Sequence, residues 1–467
     1  MGGGPVKRHH LVLWGLGGFA GRLDLCATGA DSARSAFFER SPVLSPFTAD
    51  AAASLPGPGW LRDRRVAAAE RFAAAELPDT ADEVWRYSRV SELDLGSWSR
   101  VDGHPSADAA TDPAGPFVTA AVTVSVVDGI TAVGAIPEAW ADQGVTITTA
   151  SALDDEADSG LGSVAIDGPD VFATLNDAFA LDPVIITVPR GVCLEAPILV
   201  TNRITTPGAA VFPRLVVRVG DGAEATVVDH VSSGGERALS VPLTELHVRR
   251  GGRLGYLHVQ QLGMEGWQIG SLVARVEQEA NLRASLVGLG GSYARLRTDC
   301  RMAGRGAHGD LFAAYFGEAD QTLDFRTFQY HDAPDTTSNL LFKGAVGGRS
   351  RSVYTGLIRV DKAARGTNAF QTNRNIKLSD TAWAESVPNL EIETNDVRCS
   401  HASTVGPVDA EQRFYLESRG VTPQAADRLI VAGFFDEVVR DLPAAGAVEV
   451  VRDQIADKLD RVAEELR

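Results

Sequence analysis

The chain has 467 residues, 44% hydrophobic and 22% charged, which suits two or three domains or one long repetitive domain with appendages. Sixty-one acids against 44 Lys plus Arg give a net charge of −17, which repels a phosphate backbone and argues against a nucleic-acid partner. No apolar run approaches the roughly 20 residues of a membrane span. Cys26, Cys193, Cys300 and Cys399 stand too far apart for zinc spacing or a disulfide framework, which points to a reducing cytoplasm.

Residues 1–56 are rich in Gly, Ala, Ser and Pro and read as a disordered N-terminal extension. Within them "KRHHLVLWGLGGFAG" has the look of a short signal peptide, or of a weak dinucleotide fingerprint at Gly15, Gly17 and Gly18. Neither holds up, because no cleavage site and no periodic helix follow. Residues 57–180 form a helical and mixed region. "WLRDRRVAAAERFAAAELP" reads as a helix ended by Pro78, with Val66, Ala69, Phe72 and Leu77 as its apolar stripe. "DEVWRYSRVSELDL" is a short second element, and residues 97–116 read as loop.

From Val184 the period changes to two. "VIITVPRGVCLEAPILVTN", "RLVVRVGDGAEATVVDHV", "TELHVRRGGRLGYLHVQQL", "SLVARVEQEANLRASLVGL" and "RSVYTGLIRV" alternate as strands. Small polar corners recur between strands at Gly222, Gly252, Ala280 and Gly306, separated by 30, 28 and 26 residues. Strands at a slowly drifting period with no helix between them predict a solenoid, a right-handed parallel β-helix over residues 181–406. A sandwich, the competitor, does not require the same corner composition at this spacing.

Residues 407–467 return to helix. Asp409 and Gln412 resemble a capping box, Gly420 is a natural stop, and Thr422-Pro423 is an N-cap followed by proline. The next helix carries two neighbouring apolar stripes, Ile430, Phe434, Val438 and Val431, Phe435, Val439. So wide an arc suits packing on the rest of the chain or a second buried surface. The last helix repeats Val448, Val451, Ile455, Leu459, Val462 and Leu466.

No GxSxG, HExxH or GxxxxGK[ST] motif is present, and the nine histidines are scattered. His258 and His331 read as structural. Cys399 and His401 differ: on a strand, positions two apart share a face, where a thiolate and an imidazole can share a soft metal. Glu391 and Glu393 have the same parity if the strand runs on. Two ligands do not close a site, so a partner chain has to complete it. The competing reading is a buried cysteine beside a hydrogen-bonded histidine.

"PNLEIETNDVRCSHASTVGPVDAEQRFYLESRG" resembles the C-terminal signature of SufD, a component of SUF iron–sulfur cluster assembly. "DFRTFQYHDAPDTTSNLLFKGAVGGRSRSVYTGLIRV" resembles SufB/SufD chains, and the segment from Trp60 resembles the SufD N-terminal helical region. Where the family often reads CSHGAT, this chain has Cys399-Ser400-His401-Ala402-Ser403-Thr404. The resemblance implies a β-helix between helical ends and a non-catalytic, cytoplasmic scaffold. It also implies pairing with SufB through the β-helices and binding of the ABC-type ATPase SufC through the C-terminal helices, with a homodimer as an option for the isolated chain. ATP binding would draw the ATPases together and strain the β-helices. A transient cluster, not a tightly bound cofactor, would form at the SufB–SufD interface, with His401 at the implicated histidine and Cys399 two residues before it. Ile430, Phe434, Phe435 and Val438 are the ATPase-docking candidates. A SufB-like primary scaffold would need more thiols on the solenoid. A β-helical carbohydrate-active enzyme would need a pair of groove carboxylates that the sequence does not place.

Overall fold

Alternating side chains at one strand per half-coil are best buried by stacking each strand on the next in parallel. The computed structural model, which describes residues 46–101, 117–166 and 168–465, is built this way. Two sheets face each other. The front sheet runs from Val184–Val188 through successive strands to Trp383–Ile392, and the back sheet from Ile198–Ile204 to Val397–Pro407. Consecutive coils pair in parallel, with residues 253–260, for instance, matched residue for residue to Asn281–Gly288. This is a parallel β-solenoid of about eight turns with helices at both ends of the chain.

Between the sheets lies an apolar core in which one register column, Val227, Tyr256, Ala284, Leu311 and Leu340, is stacked and buried. The corners stack as well. The left-handed residue of each is Gly191, Gly222, Gly251, Glu279, Gly306, Asp335 and Gly366, separated by 31, 29, 28, 27, 29 and 31 residues. Their N–H groups donate to the next corner: Gly222 to Arg250 O, Gly251 to Gln278 O, Glu279 to Arg305 O and Gly306 to Pro334 O, at 2.9–3.1 Å. Composition therefore located the corners to within one residue. Two assignments shift by one residue, from Gly252 to Gly251 and from Ala280 to Glu279; at 279 the stacked hydrogen bond holds a non-glycine residue at positive φ.

The two ends of the solenoid differ. At the N-terminal end Thr146–Thr149 pairs antiparallel with Val184–Val188, while Val122–Val127 joins Ile198–Ile204 and carries Ile130–Val133. At the C-terminal end Trp383–Ile392 and Val397–Pro407 each pair on one side only, among the described residues.

The N-terminal region covers the front sheet. Residues 46–56, which read as extension from composition, are part of the fold. Thr48 caps a helix at Ala49–Ala53, and the Phe47 ring lies 5.2 Å from Phe179 and 5.5 Å from Phe212. The signal-like and glycine-rich stretch before them lies outside the described residues, as does most of the 97–116 loop. The helix Gly59–Ala74 buries Leu61, Arg65, Ala68, Ala69 and Phe72, so half of the expected stripe, Ala69 and Phe72, is buried, while Val66 is half-buried and Leu77 lies exposed beyond the helix. An arginine can occupy that face because its guanidinium meets carbonyls of Pro56 and Ala180 at 2.7–3.0 Å. Burial still lowers its pKa to about 10. Arg295 and Arg326 share the buried Asp324 at 2.8 and 2.7 Å and also hold the Val84 and Arg86 carbonyls. Burial alone would raise the Asp324 pKa, but the two arginines keep it below the usual range.

The C-terminal helices lie on the outer face of the back sheet. Asp409 Oδ1 accepts from the Glu411 and Gln412 N–H groups, and Thr422 caps Pro423–Val439. From that helix Val431, Phe435, Val438 and Val439 pack on Phe312, Phe316 and Ala345 together with Val451, Ile455 and Val462 of the last helix, Ala445–Glu465. Leu466 lies outside the described residues. Lys458, buried to 3% exposure, donates to Leu289 O, Glu318 and Gln321 at 2.7–2.9 Å. This packing corrects the docking set read from the double stripe. Phe435 and Val438 are each 2% exposed and attach the helix to the solenoid, so no partner reaches them.

The stacked corners lead to a test. A Cβ built on Gly306 would meet only Glu279 Cγ at 3.5 Å, so Gly306→Ala costs backbone strain without a clash. Chemical denaturation is expected to show a loss of about 1–2 kcal/mol; no loss would mean the left-handed corner is not required.

Candidate functional site

The bare terminal coil brings the sequence-identified pair to the surface. Strand Val397–Pro407 pairs with Thr367–Lys377 so that Cys399 matches Ala369, His401 matches Gln371 and Ser403 matches Asn373. In Thr367–Lys377 the residues Ala369, Gln371, Asn373 and Asn375 are buried between the sheets, while Phe370 and Arg374 are exposed. Register therefore places Cys399, His401 and Ser403 on the inward columns of a coil that nothing covers among the described residues. His401 is exposed as a result. Cys399 is half-buried against Ile358, Val360, Ala364 and Ala369. Burial raises its thiol pKa, and a hydrogen bond with the Ala369 backbone pulls it only part-way back.

The two acids do not join this pair. A corner separates Trp383–Ile392 from Val397–Pro407, so the strand does not run on as the parity argument required. Glu391 and Glu393 turn outward and meet Arg359 at 3.9 and 3.4 Å. No cluster of three or more His, Cys, Asp or Glu able to hold a metal occurs among the described residues. The end of the solenoid therefore offers one imidazole and one shielded thiol, an incomplete donor set.

The interior below the pair is polar. Asn373 Nδ2 donates to Tyr315 OH at 2.9 Å, Asn375 Nδ2 donates to Asn373 Oδ1 at 2.8 Å, and Tyr315 OH and Ser352 Oγ both donate to Asn375 Oδ1. Sequence reading missed this layer, although Gln371-Thr372-Asn373-Arg374-Asn375 shows it as amides at period two where deeper coils carry aliphatics. The two histidines read as structural, His258 and His331, are buried. His258 Nδ1 lies 3.0 Å from Asp229, and His331 sits between the Thr336 and Ser338 hydroxyls at 2.8 and 3.0 Å. Burial lowers the His331 pKa to about 4, so it is neutral near pH 7.

Of the docking candidates, Ile430 and Phe434 remain on the surface. They line an open groove of about 940 Å³ with Tyr415, Leu416 and Leu429. Tyr415 is 58% and Leu429 57% exposed, and Phe414 beside them is 72% exposed. Lys343 reaches from the back sheet to donate to Phe434 O at 2.8 Å, and its Nζ lies 4.7 Å from the Phe434 ring centroid. Neither exposed aromatic had been singled out, because Phe414 and Tyr415 stand alone in a polar helix with no stripe. Among the described residues no helix is long and apolar enough to cross a membrane.

The three described thiols should separate by burial. Timed alkylation at neutral pH, followed peptide by peptide, is expected to modify exposed Cys193 first and half-buried Cys399 more slowly. Cys300, whose thiol burial pushes up to about 12, should react only after denaturation. A Cys399 rate at or above that of Cys193 would contradict its shielding.

Comparison with known proteins gives a concordant result. The family model described as "SUF system FeS cluster assembly, SufBD core domain" matches residues 202–434, from the first coils to the groove helix. An iron–sulfur cluster assembly SufBD family protein of Mycobacterium bovis is 31% identical over 404 residues, covering 84% of this chain and 90% of the relative. The chloroplastic protein ABCI7 of Arabidopsis thaliana is 26% identical, covering 85% of each chain. A SufBD family protein of Synechocystis is 25% identical, covering 82% of this chain and 88% of its own. With the solenoid and its helical ends, these matches establish that the chain belongs to the SufBD family of the SUF iron–sulfur cluster assembly system.

Proposed function

We propose that this chain is a SufD-type, non-catalytic scaffold subunit that pairs with a SufB-like protein and is bound by a SufC-like ABC-type ATPase in the cytoplasm. The observation that carries the reading is the uncapped terminal coil with His401 exposed on it. Two unpaired edge strands are templates for another sheet, and a partner seated there completes the donor set that His401 and Cys399 leave open. An isolated chain can use the same edges to pair with a second copy. The cluster is cargo held transiently at that interface, and the chain alone holds no tight cofactor. A SufB-like primary scaffold has less support: Cys300 is buried in the core and Cys193 lies in the first coils, far along the sequence from the terminal coil. A sugar-cleaving site also has less support, because Glu391 and Glu393 are committed to Arg359.

The ATPase contact is assigned to the apolar groove containing Tyr415, Leu429, Ile430 and Phe434. Nucleotide-driven approach of the ATPases would pull on the helix that Phe435, Val438 and Lys343 fasten to the solenoid, so strain would reach the open end through the back sheet.

Two experiments test this reading. In anaerobic reconstitution of the whole complex, His401→Ala is expected to lower cluster absorbance while the complex still forms, and Cys399→Ser to do less. The isolated chain is expected to bind iron weakly, because two donors leave the coordination open. Wild-type assembly by His401→Ala would reject the site. For the groove, Leu429→Asp is expected to abolish ATPase pull-down with an unchanged melting transition, since Leu429 is mostly exposed. Phe435→Asp is instead expected to loosen the helix. Undiminished pull-down of Leu429→Asp would move the ATPase elsewhere.

A further inference from the structure

We infer that Gln371 is a positioning residue for His401, presenting its carboxamide to the imidazole, or to the iron or sulfide species it receives, once a partner covers the open end. This rests on the reading of His401 as the cluster-site histidine. Gln371 is the residue directly beneath His401 in the strand register and faces the same interior column. It is 1% exposed, yet neither Oε1 nor Nε2 has a hydrogen-bond partner among the described residues. Its neighbours on the same strand behave differently, since Asn373 and Asn375 are tied into the Tyr315–Ser352 network. Of the three inward amides on this strand, the one beneath His401 is the one left unengaged.

An unpartnered buried amide is destabilising, and an apolar side chain of the same shape avoids that cost. Core packing therefore gives no reason for a glutamine here. Space is nevertheless kept for it across the core. A Cβ on Gly356 would lie 2.3 Å from Gln371 Nε2 and 2.2 Å from Tyr354 OH, so any side chain at 356 would displace the amide. Adjacent strands lie about 4.8 Å apart, so a carboxamide one strand below the imidazole is within reach of the ring or its ligand through a modest rotamer change. A carboxamide offers a donor and an acceptor, and either can fix which imidazole nitrogen is free to bind.

The test is a double-mutant cycle in the whole complex, reading cluster formation and thermal melting for His401→Ala, Gln371→Met and the pair. Gln371→Met keeps the volume and removes the amide, so its melting temperature is expected to be unchanged or higher. Its rate of cluster assembly is expected to fall about 10-fold, the scale of second-shell losses at metal sites. In the His401→Ala background the same change should have no further effect, because it acts through the ring. Gln371→His, which retains a donor and an acceptor, is expected to recover part of the rate. Gln329→Met, which removes an equally unpartnered buried amide one coil deeper, is expected to leave assembly unchanged. Additive losses in the cycle, wild-type assembly by Gln371→Met, or an equal loss in Gln329→Met would each overturn the inference. Wild-type assembly by His401→Ala would instead overturn the underlying reading of the site.

Discussion

Each coil of a parallel solenoid needs another coil on both sides, because a strand leaves a row of N–H and C=O groups exposed wherever it lacks a neighbour. The two ends of the chain handle this requirement differently. The N-terminal end finishes in two four-residue strands, Thr146–Thr149 and Ile130–Val133, each antiparallel to its neighbour, whereas the C-terminal end finishes in Trp383–Ile392 and Val397–Pro407, long parallel strands with a bare side among the described residues. The placement of chemistry follows from that asymmetry. His401 is exposed because its column ends with it, not because its strand faces solvent: the inward residue of the strand below is 1% exposed.

The composition of the interior changes along the same axis. Deep coils stack Val227, Tyr256, Ala284, Leu311 and Leu340 in one column, and the last full coil puts Gln371 on that column with Asn373 and Asn375 beside it. A polar layer placed under an uncovered end loses less than it would in the middle of the column, because a partner can bring hydrogen-bonding groups to it. It also lets a covering partner be recognised by more than apolar contact. Cys399 lies at the apolar edge of this layer, which fits its shielded, unactivated thiol.

The C-terminal helices are fastened to the back sheet of the solenoid. Lys458 and Lys343 cross from helix to sheet, each buried, each with carbonyl and carboxylate partners. Removing either set of partners would leave an ammonium buried without them, so these contacts fasten the helices to the sheet. The surface that stays free is the groove beside Phe414 and Tyr415 on the far side of the same helix.

Much of the fold and part of the site were legible in the sequence. The period of two, the corner spacing, the caps at Asp409 and Thr422 and the pairing of Cys399 with His401 on one face are local properties. They depend on backbone geometry within a few residues, which side-chain pattern reports directly. Long-range pairing decided the rest. It placed the left-handed corner on Glu279 and not Ala280, turned Glu391 and Glu393 outward to Arg359, and buried Phe435 and Val438 while leaving Ile430 and Phe434 at a groove. It also set Gln371 beneath His401, from a strand some thirty residues earlier in the chain. Those outcomes depend on which strand lies beside which and where the stack stops, and no local pattern carries that information.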